Sequence, residues 1–230
     1  MTKPHGTLFP YIVSVYVTAL ILRPILAFKI ISIGGLTFPG ALFIFPLSFV
    51  CNDIFSEVYG YEKSRSVVWA GLICQVLASL VIVLVTIAPS PDFWTHQDAF
   101  QLVLGQSFRI TTASMLGCFL GEITNSMIIS KMKFAQKGAL GKAQSTRFVV
   151  STIFGEFVDS LIFITFAFAG TYSIEKILTL VATTWVLKTL YEIIFLPLTT
   201  RVAQIIKKTE HIDVIDDPKD TNYSLTGLGT

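Results

Sequence analysis

Residues 154–163 read FGEFVDSLIF, and the apolar run continues as ITFAFAG over 164–170. Glu156 and Asp159 are the only charges in that whole stretch. It is long enough to cross a bilayer, and a carboxylate inside such a span costs several kcal/mol unless it faces protein or water. Two acids in it therefore mark a functional candidate. The pattern recurs 34 residues earlier as LGEITNSMII, residues 120–129, with Gly, Glu, an Asn replacing the Asp, Ser and Ile at matching places.

The rest of the chain agrees with a membrane setting. Of 230 residues 53% are hydrophobic and only 14% charged, with mean hydropathy +0.69. A soluble domain carries nearer a quarter charged residues. The fold class expected is an all-α integral membrane protein. A net charge of +2 and the lack of a basic, aromatic-laced tract exclude nucleic acid as a partner. Cys51, Cys74 and Cys118 lie in apolar segments without CxxC spacing, so neither a zinc site nor a disulfide framework is indicated. No cofactor and no metal ion are expected.

Stretches near twenty apolar residues give six transmembrane helices, roughly at 11–33, 37–56, 67–88, 108–130, 147–170 and 177–200. Lys3 before the first run resembles a signal peptide, but Arg23 and Pro24 interrupt it and five spans follow, so it reads as a retained helix. Pro39, Gly40 and Pro46 make the second span kinked or partly unwound. Residues 1–208 form the transmembrane domain, and the polar 209–230 reads as a flexible cytoplasmic tail. Lys131, Lys133, Lys137, Lys142 and Arg147 between spans four and five, with no acid, place that loop in the cytoplasm. The loop before span four holds Asp92 and Asp98 without Lys or Arg, and Trp94 suits an interface, so it faces outside. Both termini then lie in the cytoplasm.

Depth follows from a rise of about 1.5 Å per helical residue. Glu122 lies roughly 20 Å from Arg109, Asp159 roughly 18 Å from Arg147, and Lys188 roughly 17 Å from Ile177, so all three sit near the midplane. Glu156, Asp159 and Ser160 share one helix face, as do Glu122, Asn125 and Ser126. Gly121 and Gly155 precede the two glutamates and admit a close backbone or ligand. Because spans four and five are antiparallel, the shared motif resembles the inverted pairing that builds midplane transporter sites; polar glue between helices is the other reading. Asp53 and Glu57 form an i, i+4 like-charge pair that needs a cation or a proton. Lys188 and Glu192 share a face and are placed to pair with each other, with Arg23, Lys29 and Arg109 as the remaining cations. Phe119, Phe157, Phe163 and Trp185 could stack on a flat ligand, and nothing singles one out.

FPLSFVCNDIFSEVYGYEKSR (45–65), FGEFVDSLIFITFAFAG (154–170) and LKTLYEIIFLPLTTRV (187–202) together resemble the bacterial queuosine precursor transporters, also called vitamin-uptake-transporter-like proteins. The resemblance covers about Phe45 to Lys208. It implies a six-helix inner-membrane importer of 7-cyano-7-deazaguanine, 7-aminomethyl-7-deazaguanine or queuine for tRNA modification. Asp53, Arg109, Gly155, Asp159, Ser160 and Lys188 match the family's motifs, whereas Glu122, Asn125 and Glu156 fall where acid and amide alternate among relatives. The candidate substrate residues are thus Asp53, Glu57, Arg109, Glu122, Asn125, Glu156, Asp159, Ser160, Lys188 and Glu192. A deazaguanine's adjacent N–H donors suit a carboxylate, and its carbonyl suits Lys or Arg. The partners expected are that small molecule and the lipid bilayer, with a homodimer left open. A substrate-binding subunit of an energy-coupling-factor-type importer is the alternative. An enzyme is not expected, since no HExxH, GxSxG or P-loop motif is present.

Overall fold

The computed structural model describes residues 6–27, 29–34, 36–105 and 108–226. Lys3 and the extreme N-terminus, on which the signal-peptide question rests, lie outside them. Helix α1 covers Phe9–Ala27 and is followed by a hairpin of β1 (Ile30–Ile33) and β2 (Leu36–Pro39). A short 3₁₀ turn, Gly40–Phe43, leads into α2, Phe45–Ile54, which widens into a π-helical turn at Phe55–Tyr59. Then come α3 (Tyr61–Ile87), the short α4 (Gln97–Leu104), α5 (Phe108–Ala135), α6 (Lys142–Phe168) and α7 (Ile174–Glu210).

Four of these helices, α1, α3, α6 and α7, are long and apolar enough to cross a membrane. Their outward surfaces carry large apolar side chains such as Leu77, Leu84, Leu187 and Ile194, as expected where lipid replaces water as the solvent. The expected second span is the one that changes character. Its first part, from residue 37, is hairpin and 3₁₀ turn rather than kinked helix, and α2 starts only at Phe45 with Pro46 in its first turn. Proline is accepted there because the first helical N–H groups have no partner inside the helix. Two short strands thus interrupt the all-α pattern.

The tightest packing is between α5 and α6, and it falls on the repeated motif. A Cβ on Gly121 would stand 2.8 Å from the Gly155 carbonyl oxygen, and one on Gly155 would stand 3.0 Å from that of Gly121. The two GE motifs cross at their glycines, which lets the backbones meet and sets the polar residues that follow them side by side.

The segment after α7, expected as a free tail from residue 209, is instead tied to the bundle. Val214 N–H donates to the Val58 carbonyl at 3.0 Å, and Asp216 accepts from Tyr61 N–H and the Ser130 hydroxyl, each at 2.8 Å. Arg65 donates to the carbonyls of Asn222 and Ser224 at 2.6 and 2.9 Å. Composition made this stretch look disordered; its order comes from polar groups that α3 and α5 present to it.

Candidate functional site

The cluster centres on Lys188 of α7. Its ammonium group donates to Asp159 and lies 3.0 Å from Glu156, both on α6. The pairing expected between Lys188 and Glu192 is replaced by this one, because α6 offers two carboxylates across the interface. Gly117 and Gly121 make room for Asp159: a Cβ at Gly117 would come within 2.6 Å of its Oδ1, and one at Gly121 within 2.8 Å of its Cβ. Asp159 is therefore wedged against α5 on one side and Lys188 on the other.

Two more acids are held nearby by neutral donors. Tyr16 of α1 donates its hydroxyl to Glu122, and Asn125 donates its amide N–H to Asp53 at 2.8 Å. Asp53 and Glu192 line a crevice between α2, α6 and α7 with Thr152, Phe49, Val149 and Thr199. Arg23 of α1 is the second cation: it donates to Cys118 Sγ at 3.5 Å and lies 5.1 Å from the centre of the Phe45 ring. Lys188 lies 5.3 Å from the same ring centre.

Several buried atoms have no hydrogen-bond partner among the described residues: Glu122 Oε1, Asn125 Oδ1, both Glu156 oxygens, Ser160 Oγ, Thr189 Oγ1, Glu192 Oε1 and, beside Gln204, Gln144 Nε2. Buried polar atoms left open in this way are unusual and costly. Glu156 and Ser160 belong to α6, which meets Lys188 through Glu156 and Asp159, and Thr189 and Glu192 belong to α7 with Lys188 itself. They supply mainly acceptors, with Ser160 able to donate or accept, so the arrangement is chemically suited to a ligand rich in N–H donors.

Two of the expected site residues stand elsewhere. Arg109 is exposed near the start of α5 and donates to the carbonyls of Phe166 and Ala169, closing the last turn of α6. Glu57 belongs to a separate cluster at the end of the bundle where the tail lies. There it receives a two-point hydrogen bond from Arg147 and a 2.6 Å contact from Lys207. Lys133 donates to the Glu57 carbonyl at 2.6 Å and to Asp213, and Asp213 lies 2.9 Å from Lys207. Asp53 stands on α2 and Glu57 in the π-helical turn that follows it, and the like-charge pair is resolved by giving the two carboxylates different partners. Lys29 is exposed and also lies apart.

Between the clusters is a neutral layer. Asn52 donates to the Glu122 carbonyl at 3.2 Å, and Asn52 Oδ1 accepts from Ser64 and Ser126 at 3.1 and 3.2 Å. Sequence reasoning missed Asn52, Ser64, Tyr16 and Phe45 and gave Lys207 no part in a site, and it counted Arg147 and Lys133 only as topogenic charge. The one available signal was the buried Glu57, which demands a cation without saying which. Among the described residues no group of three or more His, Cys, Asp or Glu side chains is arranged to hold a metal ion.

A bundle of long apolar helices built around a buried, acid-rich polar cluster is the architecture of a multi-pass membrane protein, and comparison with known proteins agrees. The chain belongs to the family described as "Putative vitamin uptake transporter", whose profile matches residues 39–202. It is similar to the "Queuosine precursor transporter" of Escherichia coli (strain K12), 27% identical over 138 residues, covering 60% of this chain and 58% of that protein. It is also similar to the "Probable queuosine precursor transporter" of Bacillus subtilis (strain 168), 23% identical over 184 residues and 79% of each chain. No solved structure matches.

Proposed function

We propose that this protein imports queuosine precursors, that is 7-deazaguanines such as 7-cyano-7-deazaguanine and 7-aminomethyl-7-deazaguanine, through a six-span bundle in the bacterial inner membrane. In this reading both termini are cytoplasmic, and the protein is a carrier and not an enzyme. The observation that carries the reading is the set of open acceptors around Lys188, Asp159 and Glu156. A deazaguanine presents adjacent ring N–H and NH₂ donors that one carboxylate accepts in two-point fashion, and a carbonyl oxygen that a Lys ammonium satisfies. Asp159 takes the donor edge, Lys188 turns to the carbonyl, and Glu156, Asn125 and Ser160 complete the ring of contacts. Asp53 and Glu192 line the route between α2, α6 and α7.

The names of the two bacterial relatives support the substrate class, and the family supports the transport role. The test is uptake of the labelled nitrile and aminomethyl compounds by purified protein in lipid vesicles. Uptake without any further subunit is the expected result, and it also separates a self-sufficient carrier from a binding subunit that needs a partner ATPase. Absence of both binding and uptake for every deazaguanine would overturn the reading.

A further inference from the structure

The cluster has a flat apolar neighbour. Of the aromatics available for stacking, Phe119 packs edge-on against Trp69 at 4.7 Å, while Phe157 packs against Trp185 at 5.4 Å. Trp185 has its N–H committed to the Ile153 carbonyl at 2.8 Å. Phe45 differs. It is the first residue of α2, just after the 3₁₀ turn Gly40–Phe43 and just before Pro46. Its ring centre is 5.3 Å from the Lys188 ammonium and 5.1 Å from the Arg23 guanidinium. The Lys188 nitrogen marks where a donor to Asp159 and Glu156 stands. A flat ring with its N–H edge at that point can bring its centre into the 4.5–7 Å range of offset stacking on Phe45.

We propose that Phe45 is the stacking surface that selects a flat ring at this site, an inference that rests on the substrate reading above. The experiment is a titration of 7-cyano-7-deazaguanine against detergent-purified wild type, Phe45→Leu, Phe45→Trp and Phe157→Leu. Phe45→Leu should weaken binding by about tenfold, the scale on which a base loses its aromatic platform. Phe45→Trp should stay near wild type, and Phe157→Leu should be unchanged. The emission that Phe45→Trp adds to that of the native tryptophans should be quenched when ligand is added, which gives a readout even if the leucine variant does not fold. Wild type that binds, with Phe45→Leu binding equally well or no added quenching in Phe45→Trp, overturns the role of Phe45. Wild type that binds no deazaguanine overturns the substrate reading instead.

A second inference rests on different residues. The tail crosses the end of the bundle and bonds to four of its parts: Val58 in the π-helical turn, Tyr61 and Arg65 of α3, Ser130 and Lys133 of α5, and Lys207 of α7. Gly60 joins the π-helical turn to α3 at φ 86°, and a Cβ there would lie 2.7 Å from Asp216 Oδ1, so the close approach requires glycine. Tyr223 stacks on Tyr61 and shares a 2.7 Å hydrogen bond with Ser130. The geometry points to residues 211–226 as a latch that holds this end of the bundle shut, and whose release opens the substrate site on that side.

Cys51, buried on α2 two residues before Asp53, is a built-in probe. In the Cys74→Ser, Cys118→Ser background, ending the chain at His211 should raise the rate of Cys51 modification by a water-soluble maleimide at least tenfold. As a second arm, Ser130→Cys with Tyr223→Cys, joined by a short bis-methanethiosulfonate that links the two thiols through disulfides, should stop uptake while leaving ligand binding intact, with full recovery on reduction. Unchanged Cys51 reactivity in the shortened chain, or full uptake with the tail cross-linked, overturns the latch.

Discussion

The molecule buries charge in two places and treats it in opposite ways. At the tail end, Glu57 and Asp213 face Arg147, Lys133 and Lys207, and every carboxylate and ammonium has partners. Around Lys188, Glu156 and Asp159 share one ammonium, Asp53 and Glu122 have neutral donors, Glu192 has no ion pair among the described residues, and several of these oxygens are open. A saturated cluster gains nothing from a ligand and holds one arrangement of helices for as long as the tail stays docked. An acid-rich one with open acceptors is costly when alone and improves when a donor-bearing molecule arrives. The first reads as structure and the second as binding.

The largest effect should come from breaking the saturated cluster. Arg147→Met removes the two-point partner of a fully buried Glu57, and loss of one partner from a buried pair costs about 3–5 kcal/mol. Thermal unfolding in detergent should show it as a large drop in Tm; an unchanged Tm would mean that Lys207 alone neutralises Glu57. Asp159→Asn should act on the other side of the comparison. The protein should reach the membrane and unfold normally, while ligand affinity falls by about 10- to 150-fold, the equivalent of about 1.5–3 kcal/mol for a charge-assisted hydrogen bond. Lys188→Met should also weaken binding, since Asp159 and Glu156 lose their shared counter-charge.

A smaller effect sharpens the contrast. A ligand that brings its own ammonium group into an acid-rich cluster should displace protons from it, and the neutral nitrile should displace fewer. Titration calorimetry in buffers of different ionisation enthalpy measures this directly, because the apparent heat varies with buffer only if protons move. Equal buffer dependence for both ligands would show that the excess acids are already matched.

The smallest effect concerns Asp213. Burial raises its affinity for a proton, but the hydrogen bonds from Lys133 and Lys207 outweigh this and hold its carboxyl below the ordinary 3.8. A depressed value stabilises tail docking at all pH above the ordinary carboxylate range and loses that contribution as pH falls through the lowered value. Amide exchange at Val214 should therefore be constant from neutral pH down to about 4 after correction for intrinsic rates, and Asp213→Asn should reduce the acid dependence below that.

Much of this was legible beforehand, and the reasons differ by residue. Glu156 and Asp159 announced themselves because a long apolar run leaves a carboxylate nowhere to go but inward. Gly121 and Gly155 announced a close approach, and the helices do cross there. Arg109 misled, because a cation near the end of a long helix can either enter a site or reach back to free carbonyls, and it does the latter. Glu57 misled because i, i+4 spacing implies a shared face only while the helix is α, and the chain turns π-helical at Phe55. Polar composition suggested a loose tail, yet its backbone and carboxylates meet Arg65, Ser130 and Lys133.

Hydropathy and the placing of lone charges determined from sequence alone that this is a helical membrane protein with a polar interior, since those properties depend on local composition and period. Which acid meets which cation was decided by tertiary structure. Lys188 chose α6 over its own Glu192, Arg147 and Lys207 converged on Glu57 from two helices, and Phe45 came to lie beside Lys188 and Arg23. Charges attract across whatever gap the packing leaves, and that gap is set by helix crossings and a broken second span that no single stretch of sequence records.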